Sequence, residues 1–264
     1  MTPIDRLKAI MARLRDPEGG CPWDLQQSFQ TIVPHTLEEA YEVADAIERG
    51  DRSDIKEELG DLLFQVIFYA RLGEEEGAFD FDAIASAVSD KLERRHPHVF
   101  GELEVGDETE VLSNWEAIKS EERREKGLSE LPSALDDVPL ALPALTRAAK
   151  LQKRAARTGF DWAELAPVLA KIHEEIDEVK QEVEQGVSRE ALEEELGDLL
   201  FAVVNLNRHL RVDPESALRR ANQKFERRFR GIERRVFEAG QQMSELDLAA
   251  LDAHWEAVKA TEKE

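Results

Sequence analysis

The chain is short of several things, and each shortage removes a class of protein. It has one cysteine, Cys21, in 264 residues. No disulfide can close within it, which excludes a cross-linked secreted scaffold and suits a reducing compartment. Positive charge is also scarce. Lys and Arg total 35 against 57 Asp and Glu, a formal net charge of -22. A surface of that sign repels the phosphates of a nucleic-acid duplex, so no duplex nucleic acid is expected as a partner. A small phosphorylated ligand stays compatible if a metal and a few local cations mask the charge. Long apolar runs are missing too. The longest, residues 62–70, is interrupted by Gln65 and is too short to span a bilayer, so no membrane partner is expected. Residues 1–15 set Ile4, Leu7, Met11 and Leu14 on one helical face between charges, unlike the continuous apolar core of a secretion signal. The expected location is cytoplasmic.

Strand-type alternation is absent as well, and helical periodicity dominates. With 42% hydrophobic and 35% charged residues, the expected fold is all-α. Helices are expected over residues 3–15, from the end of a turn-rich loop (16–24) to about Arg49, from Ser53 (as cap) to about Gly73, over 82–95, and around Trp115 and Lys119. Gly50 ends the second of these, and Pro97 halts the fourth. Residues 126–138 read as a linker rich in breakers. Further helices are expected over 140–157, 167–186, 188–209 and 214–239, and around Trp255 and Lys259.

The plan is written twice. Glu-Glu-Leu-Gly-Asp-Leu-Leu-Phe occupies residues 57–64 and recurs letter for letter at 194–201. Ahead of the first copy stand Glu38, Glu39 and Glu42, and ahead of the second Glu174, Glu175 and Glu178. Lys91 and Arg95 match Lys224 and Arg228, and Trp115 and Lys119 match Trp255 and Lys259. Duplication of a whole unit explains such matches. The expected organisation is therefore two tandem bundles of four to five helices, 1–125 and 139–264, joined by 126–138.

Residues three or four apart share a helix face, so Glu39 projects with Glu42, and Glu58 with Asp61. The tight connection around Gly50 makes their helices antiparallel. Both pairs then lie about 12–17 Å from the turn and face each other. The same count around Gly186 brings Glu175 and Glu178 level with Glu195 and Asp198. Four carboxylates between apolar helices cannot all stay ionised without a cation. Oxygen ligands of this kind select Mg2+, with Mn2+ as an alternative, and the absence of His and Cys argues against zinc. Such an ion receives substrate phosphates, and Lys224 with Arg228, or Lys91 with Arg95, would supply further positive charge. Trp255 with Lys259, and Trp115 with Lys119, could stack a base while contacting a phosphate. A single Glu-x-x-Glu is ordinarily a solvated helix face. Two copies with matched companions are what point to chemistry. Residues 62–72 and 199–206 are apolar nearly all round, which calls for burial on every side and hence for a partner subunit.

These motifs, together with Cys21-Pro-Trp-Asp24, closely resemble the MazG family of all-α nucleoside triphosphate pyrophosphohydrolases over nearly the whole chain. The resemblance implies helices bundled around Mg2+ and usually completed as a homodimer. It implies cleavage of NTPs and dNTPs between the α and β phosphates to NMP and pyrophosphate, with broad base tolerance and a housekeeping role. Glu39, Glu42, Glu58 and Asp61, with Glu175, Glu178, Glu195 and Asp198, would be the metal ligands. Glu38 and Glu174 would be water-positioning bases or outer-sphere ligands beside the ligands Glu39 and Glu175. Two other readings stay open: a narrower dUTP or dNTP pyrophosphatase, and a non-catalytic helical regulator that binds nucleotide or metal. Both repeats keep every acidic position. The second is favoured as the working one, because Lys224 and Arg228 lie inside a long helix while Arg95 stands at a helix end cut by Pro97.

Overall fold

The computed structural model describes residues 1–125 and 133–262. No strand occurs among them. The chain separates into two compact units, Met1–Leu128 and Ser129–Glu264. No helix is long and apolar enough, among the described residues, to cross a membrane.

The first unit is built from α1 (Pro3–Leu14), α2 (Pro22–Leu25), α3 (Phe29–Arg49), α4 (Arg52–Glu75), α5 (Phe81–Arg95), α6 (Pro97–Phe100) and α7 (Glu108–Glu125). Thr2 and Asp5 close a capping box at the start of α1. Gly50 ends α3 in a left-handed conformation (φ 78°), which lets the chain reverse at once into α4. The cap of α4 is Asp51, not Ser53. Its carboxylate accepts from the backbone N–H groups of Ser53 and Asp54, two residues before the hydroxyl that was expected to act. Met11, Ile32, Ile67, Phe68 and Leu72 form the core where α1, α3 and α4 meet. The buried Arg15 guanidinium ties the loop to this core, donating to the Glu75 carboxylate at 2.7 Å and to the carbonyls of Asp24 and Gln27. Cys21 is half-buried at the start of α2. Pro97 ends α5 as expected, but it also opens the short α6, because its fixed φ suits a first helical position.

The second unit comprises α8 (Ala144–Arg157), α9 (Leu165–Gln185), α10 (Arg189–His209), α11 (Pro214–Glu238), a 3-10 turn (Met243–Glu245) and α12 (Leu248–Thr261). Gly186 (φ 64°) plays the part of Gly50. Helix α8 starts at Ala144 rather than near Leu140, since Pro143 sits at its cap and Leu140 is exposed. Of the expected linker, residues 126–132 lie outside the described residues. Residues 133–138 turn back onto α8, with Val138 buried and Arg154 donating to the carbonyl of Asp136. Val168, Val204, Ile232 and Val236 form the buried aliphatic positions. Residues 199–206 are not enclosed by their own unit: Leu200, Phe201 and Val203 remain exposed.

Candidate metal centre

The acidic motifs sit on two reversing helix pairs, and within each pair the helices, α3 with α4 and α9 with α10, pack side by side. In the first unit Glu39 and Glu42 come from α3 and Glu58 from α4. One carboxylate oxygen from each lies within 4.8 Å of the others. In the second unit Glu175 from α9 meets Glu195 and Asp198 from α10 within the same limit. Asp61 and Glu178 stand beside these groups rather than inside them. Their charges still belong to the sites, as the carboxyl groups show. Burial raises the Glu39 carboxyl above its ordinary range, and the charges of Glu42 and Asp61 raise it further. Burial likewise raises Glu58, with help from Glu42 and Asp61. Glu178 is raised by burial and by Glu175, and Glu195 by burial and by Glu175, Glu182 and Asp198.

The surroundings of the two groups differ. Glu175 is 3% exposed and meets the Lys171 ammonium at 2.6 Å. The same ammonium reaches Glu174 at 2.8 Å. These two carboxylates push the lysine well above its usual range. In the first unit the equivalent position holds His35, whose Nδ1 lies 3.7 Å from Glu38. Glu38 and Glu174 themselves are exposed. Glu39 instead accepts a long hydrogen bond from Gln65 Nε2 at 3.5 Å, while Gln65 Oε1 is buried without a partner. Lys171 was not among the residues expected from the sequence. Its signal was present, since it stands three and four residues before Glu174 and Glu175.

Of the expected phosphate cations, Arg95, Arg228 and Lys259 are engaged with carboxylates. Arg95 and Arg94 hold Glu122 at 2.5 and 2.8 Å. This grip draws the Glu122 carboxyl down to about 2. Arg228 and Arg227 hold Glu262 at 2.7 and 3.1 Å. Glu122 and Glu262 each stand seven residues after the repeat's tryptophan, so the clamp is duplicated with the rest of the motif. Lys119 lies over the Trp115 ring at 3.6 Å. Trp255 is met by Phe225 and Arg228, and Lys259 pairs with Glu256 at 2.6 Å. Lys91 is half-buried on α5, and Lys224 is exposed on α11.

Beside the second acidic group lies a cavity of about 680 Å³. Lys171, Glu175 and Asp198 contribute to its wall, and so do Gln152, Trp162 and Asn205. None of Lys224, Arg228, Trp255 and Lys259 lines it.

The donor set in both groups is oxygen only, crowded and partly desolvated, so its own charges disfavour ionisation. A hard divalent cation fits such a set and would relieve that repulsion.

The MazG nucleotide pyrophosphohydrolase domain matches residues 27–100 and again 164–231. The chain is 58% identical to a nucleoside triphosphate pyrophosphohydrolase of Escherichia coli strain K12, over 99% of each chain. It is 41% identical to the nucleoside triphosphate pyrophosphohydrolase/pyrophosphatase MazG of Thermotoga maritima, over 97% of this chain and 95% of that one. A nucleoside triphosphate pyrophosphohydrolase of Mycolicibacterium smegmatis shares 35% identity over 62% of this chain and 50% of that one.

Proposed function

This chain belongs to the MazG nucleotide pyrophosphohydrolase family, and from that premise we propose that it hydrolyses nucleoside triphosphates between the α and β phosphates. The products are NMP and pyrophosphate. The observation that carries this reading is the convergence of carboxylates from two reversing helices in each unit, with a ligand-sized cavity beside the second.

Glu175, Glu195 and Asp198, with Glu178 completing the set, hold Mg2+ or Mn2+ in the second unit. Glu39, Glu42, Glu58 and Asp61 do so in the first. The ion, when bound, polarises a phosphoryl oxygen and lowers the pKa of a water. Glu174 orients the attacking water, as Glu38 does in the first unit. Lys224, Arg228 and Lys259 stabilise the charge that develops on the leaving pyrophosphate. Lys91, Arg95 and Lys119 are their first-unit counterparts. Arg228 and Lys259 exchange Glu262 and Glu256 for substrate oxygens when they do so. Both NTPs and dNTPs are taken as substrates, in keeping with membership of the family. The exposed Leu200, Phe201 and Val203 are covered by a second copy in a homodimer. The working location is the cytoplasm, where nucleotide pools are kept and a lone cysteine stays reduced. The two functional units are residues 1–125 and 139–264.

The test is pyrophosphate release from a panel of NTPs and dNTPs. Chelation is expected to abolish it, Mg2+ or Mn2+ to restore it, and Ca2+, with its looser geometry, to restore it poorly. Full hydrolysis in excess chelator rejects the metal assignment, and NDP with orthophosphate as products rejects the cleavage position. Light scattering of the same sample measures the oligomer.

A further inference from the structure

Two guanidiniums on α11 grip one carboxylate at the cap of α12, and they divide its oxygens between them. Arg227 donates to Glu262 Oε1 through Nε and Nη2, both at 3.1 Å. Arg228 donates to Oε2 through Nε at 2.8 Å and Nη2 at 2.7 Å. The first unit repeats the arrangement. Arg94 reaches Glu122 Oε1 through the same two nitrogens at 2.9 and 2.8 Å, and Arg95 reaches Oε2 at 3.1 and 2.5 Å. Adjacent residues on a helix point about 100° apart. Both arginines of a clamp therefore bend toward the shared carboxylate, and each loses rotamer freedom. One arm of each clamp, Arg94 or Arg227, is exposed, so the grip adds little to stability.

The two arms of the second clamp are unequal. Arg227 is exposed, whereas Arg228 is half-buried with its guanidinium over the Trp255 ring at 5.5 Å. That ring contact holds Arg228 in place whether or not the carboxylate is there. Glu262 takes the Nε and Nη2 edge of Arg228, which is an edge suited to an oxyanion of any kind. A phosphate oxygen and Glu262 Oε2 thus compete for one set of donors. When Oε2 leaves Arg228, Oε1 can stay on Arg227, so the carboxylate keeps a cation.

Resting on the hydrolase reading above, in which Arg228 stabilises the leaving phosphates, we infer that Glu262 is an internal competitor for Arg228 and that Arg227 is the seat that holds it when substrate arrives. The ligand class that displaces it is the phosphoanhydride, whose several negative charges outweigh the single charge of Glu262. The return of Oε2 to Arg228 then assists the departure of pyrophosphate. Glu262 and Arg227 touch no reacting atom in this scheme, and both act through Arg228.

The test uses the full chain with Glu262→Gln, Arg227→Gln and the double variant. KM and kcat are measured for ATP with Mg2+, and calorimetric binding of α,β-methylene-ATP reports affinity without turnover. Circular dichroism checks folding. Glu262→Gln is expected to lower KM and tighten analogue binding by about three- to fivefold, the scale of a surface ion pair. Inhibition by pyrophosphate should deepen in the same variant. Arg227→Gln is expected to shift KM and analogue binding the opposite way, since the displaced carboxylate then has no seat. The double variant should match Glu262→Gln, because Arg227 has nothing left to hold. Weaker binding in Glu262→Gln overturns the inference and makes the glutamate a brace for Arg228. Unchanged binding overturns it as well. A double variant that stays with Arg227→Gln also does so, and places Arg227 itself on the phosphates. If wild type releases no pyrophosphate, the hydrolase reading fails separately, and opposite shifts in analogue binding still support competition at Arg228.

Discussion

After the shared octapeptide the first repeat places Gln65 where the second places Ala202. Both positions are buried. Gln65 fills its place and reaches toward Glu39, while Ala202 forms part of the wall of a cavity next to Glu175 and Asp198. Ahead of the acidic pair the first repeat has His35 and the second Lys171, whose ammonium is in contact with both Glu174 and Glu175. The ligand helices and their turns are the same in outline. The neighbours are not, and it is they that decide how much room and how much positive charge a bound nucleotide meets. Identical motifs thus gather carboxylates in both repeats without giving them the same surroundings.

The strongest way to break this comparison is to remove ligands one repeat at a time. Glu175→Ala or Asp198→Ala is expected to lower turnover by about 10²-fold or more, because the water loses both activation and position. Helicity should survive, since one of several crowded like charges has gone. Glu42→Ala and Asp61→Ala are expected to have a smaller effect on NTP hydrolysis. Pyrophosphate release from all four variants decides the matter. Inactive first-repeat variants beside active second-repeat ones would reverse the assignment, and four active variants would return the chain to the regulator reading.

A subtler change exchanges the neighbours. Ala202→Gln puts the first repeat's side chain into the second repeat's cavity. A loss of about tenfold or more in kcat/KM, carried by KM, is the expected result. The mirror change, Gln65→Ala, should leave hydrolysis near wild type. Equal effects from the two exchanges would remove the steric distinction between the repeats.

The arginine clamps offer a smaller test, and here the repeats should agree. Arg95 and Arg94 hold the Glu122 carboxyl down from 4.5 to about 2, and Arg228 and Arg227 lower Glu262 in the same direction. A depressed acid stabilises the fold above its unfolded pKa, and that contribution fades as pH falls through its folded one. The difference in urea midpoint between wild type and Glu122→Gln should therefore be constant from pH 7 down to near pH 5. It should then shrink steadily toward pH 2. The Arg94 arm of the clamp is exposed, which keeps the contribution small, about 1 kcal/mol or less. Glu262→Gln should show the same trend. A difference that grows on acidification would mean that the glutamates are not the groups being held.

Much of this architecture can be read from residue spacing alone. Gly50 and Gly186 mark the two reversals, and the acidic residues three and four apart announce which faces meet. Local rules suffice there because each depends on neighbours in the chain. The cap of α4 was misplaced for a local reason as well, since Asp51 and Ser53 are both competent caps and only the backbone geometry selects one. The cavity was not legible. It depends on Gln152, Trp162 and Asn205 meeting across α8, a loop and α10, and no periodicity records that meeting. Glu122 and Glu262 were within reach of the sequence, seven residues past each tryptophan, but a glutamate in a charged run looks like solvated surface until its arginines are placed. The exposed Leu200 and Val203 follow from an apolar helix that its own unit cannot enclose.

One shared feature bears on how this protein could be made sturdier by engineering. Gly60 and Gly197 sit inside α4 and α10 at the same point of the two octapeptides, and a methyl group added at either meets nothing within 4 Å. A glycine inside a helix gives up about 1 kcal/mol relative to alanine. An isolated chain would therefore melt at a higher temperature with Gly60→Ala or Gly197→Ala, and the two gains should add, since each glycine belongs to its own compact unit. If a second copy lies against one of these helices, that alanine would instead meet foreign backbone and loosen the assembly. A melting series on the two single variants and the double, followed at several protein concentrations, thus sorts spare stability from a reserved contact.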